Sequence, residues 1–317
     1  MKNLERRLLK AAGIVIDDCL RVKPGERAVV VTDEPCQAVG FAIWTALRKT
    51  TDPILIEIDP RKIHGEEPPE LVASVLKESD VFIMPTSRSL THTQARIVAN
   101  KKGARGATMP GITIEMMLRA LNADYRRIAT LTRRVCKQVH KARRARIQSE
   151  IGTDLHLDLR KRTCCPDTGV ITKKGSFSNL PAGEAYVAPV ERKSNGVVMV
   201  DGSFAPVGAI ATPLRLDVKN GVITQVKGNR KMASIFSKYG KRERTLCEFG
   251  IGTNYRAKIT GNVLEDEKVL GTIHVAFGNN LAFGGKNHAR IHLDAVIRKP
   301  TVWLDDKLLI RKGKFLI

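Results

Sequence analysis

Three short apolar runs near the start of the chain, each followed by a stretch with helical spacing, constrain the fold more than any other feature. The runs are Arg27–Thr32, Pro53–Ile58 and Asp80–Met84. Apolar runs of about four to eight residues are typical of buried strands, and strands that alternate with helices form a parallel sheet. The sequence therefore predicts an amino-terminal, doubly wound α/β domain over residues 1–113.

Helical patterns lie before and between these strands. Apolar residues recur at helical spacing over residues 4–20, until Lys23-Pro24-Gly25 interrupts the pattern. Further helices are predicted at Gln37–Arg48, Pro69–Lys77 and Thr93–Lys101. This order is that of an open α/β sheet, in which ligands bind at the carboxyl ends of the strands.

Residues 114–150 predict a helical connection with a high density of positive charge. Nine lysines and arginines lie between Arg126 and Arg146. We interpret this region as a solvated helix that joins two domains. A surface that binds RNA or a membrane is the alternative.

Residues 151–317 predict a second domain that is α+β and rich in sheet. Asn220-Gly221 separates two of its β-rich runs and is a strong signal for a hairpin. The runs are Glu184–Val187, Gly196–Val200, Leu214–Val218, Val222–Gln225, Thr272–Phe277, His292–Ile297, Val302–Leu304 and Leu308–Arg311.

The composition favours a folded, cytoplasmic protein without a membrane segment. Apolar residues make up 43% of the chain, and no apolar run approaches the roughly 18 residues that span a bilayer. The first residues mix charges into the apolar pattern, unlike a signal peptide. The six cysteines show no CxxC spacing, so we expect free thiols.

The net charge of +22 is the most unusual global property of the chain. It permits attraction to nucleic acid or to acidic ligands, but charge alone identifies no partner. Aromatic residues make up 5% of the chain, which is few for a protein that stacks single-stranded bases. Nucleic acid is therefore at most a secondary partner.

The segment His292-Leu293-Asp294 is the sharpest local candidate for chemistry. On a strand, residues i and i+2 point to the same face, so the imidazole and the carboxylate would project side by side. This pair suits Zn²⁺, Co²⁺, Mn²⁺ or Fe²⁺. His274 in GTIHVAFG, Glu248 in CEFGIGTN and Glu184 after Pro181-Ala182-Gly183 also stand in apolar or glycine-bounded contexts. A buried carboxylate is costly unless it is paired or binds a metal, so we expect these five side chains to converge.

Three other polar residues are weaker candidates. His92 and Arg96 lie at a predicted helix start after the third strand, where they could bind substrate, although amino-terminal capping around Thr91 and Thr93 explains them as well. His288 is either a spare ligand or a loop residue.

Four sequence blocks together resemble the aminopeptidase T and aminopeptidase S family of metallopeptidases in order and approximate spacing. The resemblance covers roughly residues 178–313, with a weaker similarity over residues 91–113. The blocks are NLPAGEAYVAP, CEFGIGTN, LEDEKVLGTIHVAFG and IHLDAVIRKPTVWLDD.

The resemblance implies a two-domain enzyme with a pair of metal ions, usually zinc or cobalt, in its carboxy-terminal domain. It also implies a homodimer and an active site in an enclosed cavity. It assigns the metal ligands to Glu184, Glu248, His274, His292 and Asp294.

Two departures from the aminopeptidase pattern bear on the reaction. Leu281 stands where the family has a tyrosine, and the chain is shorter than the typical enzyme. The fold is shared with ring-cleaving dioxygenases of dihydroxypyridines, in which two histidines and a carboxylate hold Fe²⁺. An iron histidine of those enzymes stands where this chain has Glu248, which favours the peptidase interpretation.

The leading hypothesis is a metal-dependent aminopeptidase that removes amino-terminal residues from peptides. One or two divalent ions would polarise the carbonyl and activate a water molecule, with Zn²⁺ or Co²⁺ favoured and Mn²⁺ or Fe²⁺ as alternatives. Glu184 or Glu248 would act as general base. The alternatives are a mononuclear Fe²⁺ ring-cleaving dioxygenase, and a basic nucleic-acid-binding protein with a vestigial metal site.

Overall fold

The computed structural model describes residues 2–205 and 207–317. Its α-helices are α1 (Lys2–Gly13), α2 (Gln37–Leu47), α3 (Glu70–Glu78), α4 (Gln94–Lys101), α5 (Ile114–Met116), α6 (Tyr125–Lys141), α7 (Arg230–Ser237) and α8 (Val263–Asp266). Ile14–Leu20 and Met117–Leu121 are π-helical, and Glu34–Cys36 and Leu281–Phe283 are 3₁₀ turns.

The strands are widely spaced in the first half of the chain and follow one another closely in the second half. They are β1 (Ala28–Asp33), β2 (Ile54–Ile58), β3 (Val81–Met84), β4 (Arg105–Thr108), β5 (Arg144–Gln148), β6 (Asp154–Asp158), β7 (Cys165–Asp167), β8 (Phe177–Asn179), β9 (Glu184–Val187), β10 (Asn195–Val200), β11 (Ser203–Phe204), β12 (Gly208–Ala209), β13 (Leu214–Lys219), β14 (Val222–Lys227), β15 (Leu246–Gly252), β16 (Ile273–Gly278), β17 (His292–Ile297), β18 (Thr301–Leu304), β19 (Lys307–Arg311) and β20 (Lys314–Phe315).

The chain forms two compact units that are interleaved in sequence. The amino-terminal unit is Met1–Ala129 with Asp167–Ala182, and the carboxy-terminal unit is Thr130–Pro166 with Gly183–Ile317. The predicted boundaries at residues 113 and 150 stay a prediction, because compactness does not show which segments fold on their own. In the predicted helical connection, helices extend to Lys141 and are followed by strand β5.

The amino-terminal unit contains a parallel sheet with the strand order β2-β1-β3-β4-β8. Every residue of β1 and β3 is buried, as expected for strands with both faces covered. The predicted parallel sheet is thus confirmed. The sequence did not predict β4, because its Gly106 has low β-propensity. That glycine is needed, since a Cβ atom there would lie 2.3 Å from the ring of Phe82.

The carboxy-terminal unit contains two sheets. The first has the order β14-β13-β10-β6-β5-β18-β19-β20, and the second has the order β12-β11-β17-β16-β15-β9-β7. Apolar side chains from both sheets, such as Val198 and Phe249, belong to one buried cluster. The Asn220-Gly221 hairpin is confirmed: Lys219 pairs with Val222, and both turn residues have positive φ.

Helix α6 is amphipathic, which explains the run of basic residues. Ile128, Val135 and Val139 are buried, whereas the lysines and arginines of the helix are exposed. Within residues 2–205 and 207–317, no helix has both the length and the apolar character that crossing a bilayer requires. All six cysteines are free.

Candidate metal centre

The five predicted ligands lie on one face of the second sheet of the carboxy-terminal unit. Side chains opposite one another on neighbouring strands share a face, and so do residues two apart on one strand. In the observed register, Glu184 pairs with Gly252, and Gly250 with His274. Ala276 pairs with both Glu248 and Asp294, and Gly278 with His292. The sheet therefore collects side chains from β9, β15, β16 and β17.

Small residues between the ligands make room for them. Gly250, Gly252, Ala276 and Gly278 occupy the same face. A Cβ atom on Gly250 would lie 2.0 Å from Cε1 of His274, so the imidazole ring rests directly on this glycine. Two glycines in β15 also explain why the sequence did not predict that strand, because glycine has low β-propensity.

The opposite face of the same strands is apolar and anchors them in the core. Phe249, Ile251, Val275, Phe277 and Ile297 are all fully buried members of the core cluster. Strand alternation therefore divides these residues into a packed face and a polar face. Because the packed face fixes the strands, the polar side chains are held by a rigid support.

Glu248 stands at the centre of the polar cluster. Its Oε1 lies 3.3 Å from Nε2 of His274, and its Oε2 lies 3.2 Å from Nε2 of His292. Asp294 Oδ1 is 3.4 Å from His292 Nε2, and Glu184 Oε2 is 3.2 Å from His274 Nε2. The structure thus brings together all five residues that the sequence singled out.

Two further members of the cluster, Glu267 and Lys268, were missed at the sequence level. Lys268 is 1% exposed, and its Nζ donates to Glu184 Oε1 at 2.5 Å and to Glu267 Oε1 at 2.6 Å. Both residues follow α8 in the acidic segment LEDEK. Such a segment normally lies at the surface, so composition gave no signal of burial. The backbone of this segment can pack closely against β15 because residue 252 is a glycine. A Cβ atom there would lie 2.1 Å from the carbonyl oxygen of Val269.

The cluster carries an excess of negative charge. Burial lowers the pKa of His274, but the neighbouring carboxylates of Glu248 and Glu184 outweigh burial and raise it to about 9. Burial raises the pKa of Glu248, but hydrogen bonds from the two imidazoles outweigh it and hold that pKa well below its usual value. Burial raises the pKa of Glu267 to about 8, against the opposing ammonium of Lys268. The site therefore attracts cations.

The donor set fits a divalent metal ion. With Glu267 protonated and both imidazoles neutral, as they must be to bind a metal ion, the carboxylates of Glu184, Glu248 and Asp294 and the ammonium of Lys268 leave two negative charges, which one divalent cation would balance. His292 Nδ1 lies 2.9 Å from the carbonyl oxygen of Asn279, an arrangement in which Nδ1 donates and Nε2 is left to bind metal. Among the described residues, Nδ1 of buried His274 has no hydrogen-bond partner, so packing on Gly250 must orient this ring.

Replacing Gly250 by alanine is expected to weaken metal binding without unfolding the chain. The added methyl group would displace the His274 ring, and loss of ligand orientation typically costs about 10–100-fold in metal affinity. Metal affinity is measured by competition with a chelating dye, and folding by circular dichroism. Gly13→Ala is the control, because its Cβ atom would meet only Asp17, at 3.7 Å. An unchanged affinity in Gly250→Ala would show that the His274 ring position does not matter.

His92 and Arg96 belong to the amino-terminal unit, and their role in substrate binding stays a prediction. His92 is exposed. Arg96 Nε donates to the carbonyl oxygen of Thr91, and its guanidinium lies over the ring of Phe177 at 4.4 Å. Thr93 caps α4 by accepting a hydrogen bond from the Arg96 backbone NH.

The other residues considered at the sequence level lie outside the cluster. His288 is exposed and belongs to none of the groups of described side chains that could hold a metal ion. Leu281, in the place of the expected tyrosine, lies in a 3₁₀ turn and is 51% exposed. The same turn brings Phe283 to His292, with ring centroids 6.1 Å apart, and Phe283 also contacts Tyr186.

The chain is thus a two-unit protein with a candidate metal centre. One unit contains the parallel sheet, and the other carries the carboxylate and imidazole cluster on an antiparallel sheet. The model of one protein family, NicX, described as 2,5-dihydroxypyridine 5,6-dioxygenase, matches residues 16–317. The chain belongs to this family.

Individual relatives agree with the family match. The 2,5-dihydroxypyridine 5,6-dioxygenase of Pseudomonas putida is 25% identical over 194 residues, which are 55% of this chain and 54% of that protein. The chain thus matches about half the length of this curated relative. The solved structure of 2,5-dihydroxypyridine dioxygenase from Pseudomonas putida has a TM-score of 0.82 at 19% identity, with 98% of this chain and 97% of that chain covered. AmpT from Thermus thermophilus has a TM-score of 0.74 at 15% identity, with 98% and 99% covered.

These findings correct the leading hypothesis. The shared fold with AmpT holds, but the assignment to the aminopeptidases and the hydrolase activity were wrong. The candidate ligands fit a divalent metal ion, but the comparisons give no support for zinc or cobalt. The physical reason is that the four sequence blocks contain β9, β15, β16, β17 and neighbouring elements of a fold that this chain shares with both solved structures. Glutamate at position 248 did not discriminate between them, because carboxylate and imidazole both bind divalent metals.

Proposed function

We propose that this protein is an Fe²⁺-dependent dioxygenase that opens a dihydroxylated aromatic ring, with 2,5-dihydroxypyridine as the model substrate. The observation that carries the proposal is the convergence of His274 and His292 on the carboxylate of Glu248, with Asp294 beside His292. Two histidines and a carboxylate with open positions are the donor set of non-haem Fe²⁺ oxygenases.

The residues of the chain would hold the ion and the substrate in fixed positions. His274, His292, Glu248 and Asp294 are the proposed ligands, and the bond from His292 to the Asn279 carbonyl oxygen keeps its Nε2 free. When bound, Fe²⁺ would supply the redox chemistry that lets dioxygen react with the ring. Glu184, which is not among these ligands, would accept the proton of a ring hydroxyl.

Aromatic side chains beside the cluster suit a flat substrate better than a peptide. Tyr186 lies two residues after Glu184 on β9 and therefore shares its face. Its ring meets that of Phe283 edge to face at 5.4 Å, and Phe283 reaches His292. Both aromatic side chains are only partly buried, so they can pack against a ring-shaped ligand.

The proposed reaction is balanced without an added reductant. The bond between C5 and C6 of the pyridine breaks, and each of these carbons gains one oxygen atom of O₂. The substrate supplies the four electrons that reduce O₂, so one O₂ is consumed for each ring opened.

Reconstitution with different metals tests the proposal. Protein loaded anaerobically with Fe²⁺ is expected to consume one O₂ for each 2,5-dihydroxypyridine and to place both atoms of ¹⁸O₂ in the product. The same protein loaded with Zn²⁺ is the control and should be inactive, because Zn²⁺ has no redox chemistry. If the Fe²⁺ form consumed no O₂ with any of a panel of dihydroxylated pyridines and benzenes, the proposal would be wrong.

A further inference from the structure

Lys268 contacts two of the three groups of side chains that could hold a metal ion in the described chain. In each group, the ligand atoms lie within 4.8 Å of one another. The groups are Glu184 with Glu248 and His274, Glu248 with His292 and Asp294, and Glu267 with His274 and Asp294. The ammonium of Lys268 pairs with Glu184 of the first group and with Glu267 of the third.

The Lys268 side chain is buried within the cluster. It is among the largest fully buried side chains in the described chain, at 1% exposure. A buried ammonium is tolerated where carboxylates neutralise it, and removing one partner of such a pair leaves a buried charge uncompensated. The glycine at position 252, which admits the backbone of residues 268 and 269, is part of the same arrangement.

The members of the second group pair with one another. His292 Nε2 lies 3.2 Å from Glu248 Oε2 and 3.4 Å from Asp294 Oδ1. The His292 side chain is 29% exposed, so this group is the one that a metal ion and a substrate can reach from solvent. His274 borders it through the other oxygen of Glu248.

We propose that Lys268 is a resident cation that restricts the centre to one divalent metal ion, held by His274, His292, Glu248 and Asp294. A second divalent ion at Glu184 would have to lie beside the ammonium, where like charges repel one another. Lys268 is thus a positioning residue that keeps Glu184 and Glu267 away from metal. The inference rests on the proposed function, since both need a metal ion in this cluster.

Metal stoichiometry tests the role of Lys268. The probe is Mn²⁺ alone. Equilibrium dialysis gives the number of Mn²⁺ ions bound per chain, and electron paramagnetic resonance shows whether bound ions are spin-coupled. The wild-type chain is expected to bind about one Mn²⁺ with an uncoupled spectrum. Lys268→Met should bind about two, with the spin coupling of ions about 3.5–4 Å apart. Lys312→Met is the control and should bind about one, because Lys312 pairs with Glu150 at the surface.

Each outcome is decisive. Two ions in the wild-type chain, or one ion in folded Lys268→Met, would overturn the inference while leaving the proposed function intact. No metal in any variant would overturn both. If circular dichroism shows that Lys268→Met is unfolded, the double variant Glu267→Gln/Lys268→Met takes its place. That variant removes the ammonium of Lys268 together with the Glu267 carboxyl group that it contacts, and leaves the first group of ligands complete.

Discussion

His292→Ala is expected to lose its bound iron and to lower the rate of ring opening by about 10³-fold or more, while the chain stays folded. A metal acting as Lewis acid typically supplies several kcal/mol of transition-state stabilisation, and each ~1.4 kcal/mol is a factor of ten in rate. The fold should survive because the His292 side chain is 29% exposed and lies on the polar face of β17. Iron per chain, circular dichroism and O₂ uptake are the measurements.

His288→Ala is the matched control for this variant. It also removes an imidazole, but from an exposed position outside the metal-capable groups. The His288→Ala variant should keep the iron content and the rate of ring opening of the unsubstituted protein. Retention of iron and activity in His292→Ala would remove this histidine from the proposed ligands.

The metal-free protein is expected to lose about 3 kcal/mol of unfolding free energy between pH 6.5 and 9, whereas the Fe²⁺-loaded protein stays level. The pKa of His274 is raised from 6.5 to about 9, so protonated His274 stabilises the folded state fully below pH 6.5. This contribution is lost as the pH rises through 9, at about 1.36 kcal/mol for each pKa unit. With metal bound, the imidazole is neutral in this range, and folding then releases or binds no proton at His274.

Urea unfolding of the metal-free and metal-loaded protein across this pH range is the measurement. Glu248 does not interfere, because its pKa is lowered and its contribution is lost only under acidic conditions. Glu267, whose pKa is raised to about 8, adds to the loss in the same range. His274→Gln should therefore remove the share of the slope that comes from His274 and leave the share that comes from Glu267. A metal-free protein whose stability is constant from pH 6.5 to 9 would contradict the charge balance described for the cluster.

The sequence predicted the sheets and the convergence of the five polar side chains well, because both depend on short-range patterns. Alternation on β17 placed His292 and Asp294 on one face, and the apolar context of His274 indicated burial. The runs that became β1, β2 and β3 are likewise apolar over their whole length or nearly so. Because such patterns are local in the sequence, they can be recognised from one amino-acid sequence.

The features that were missed depend on contacts between distant segments. β15 contains Gly250 and Gly252, which lower its β-propensity but make room for His274 and for the backbone near Lys268. Burial of Lys268 follows from that approach and from Glu184, which lies 84 residues earlier in the chain. The reaction class was missed for a related reason, since the ligand residues are compatible with more than one chemistry.

The division of β15, β16 and β17 into a packed face and a polar face has a consequence for how such proteins diversify. Phe249, Val275 and Ile297 belong to the packed core and specify how the strands assemble, whereas Glu248, His274 and Asp294 point to the opposite face. Donor atoms can therefore be exchanged one at a time, imidazole for carboxylate, on a scaffold that tolerates the change. The fold that this chain shares with 2,5-dihydroxypyridine dioxygenase and with AmpT is consistent with this separation of the two faces.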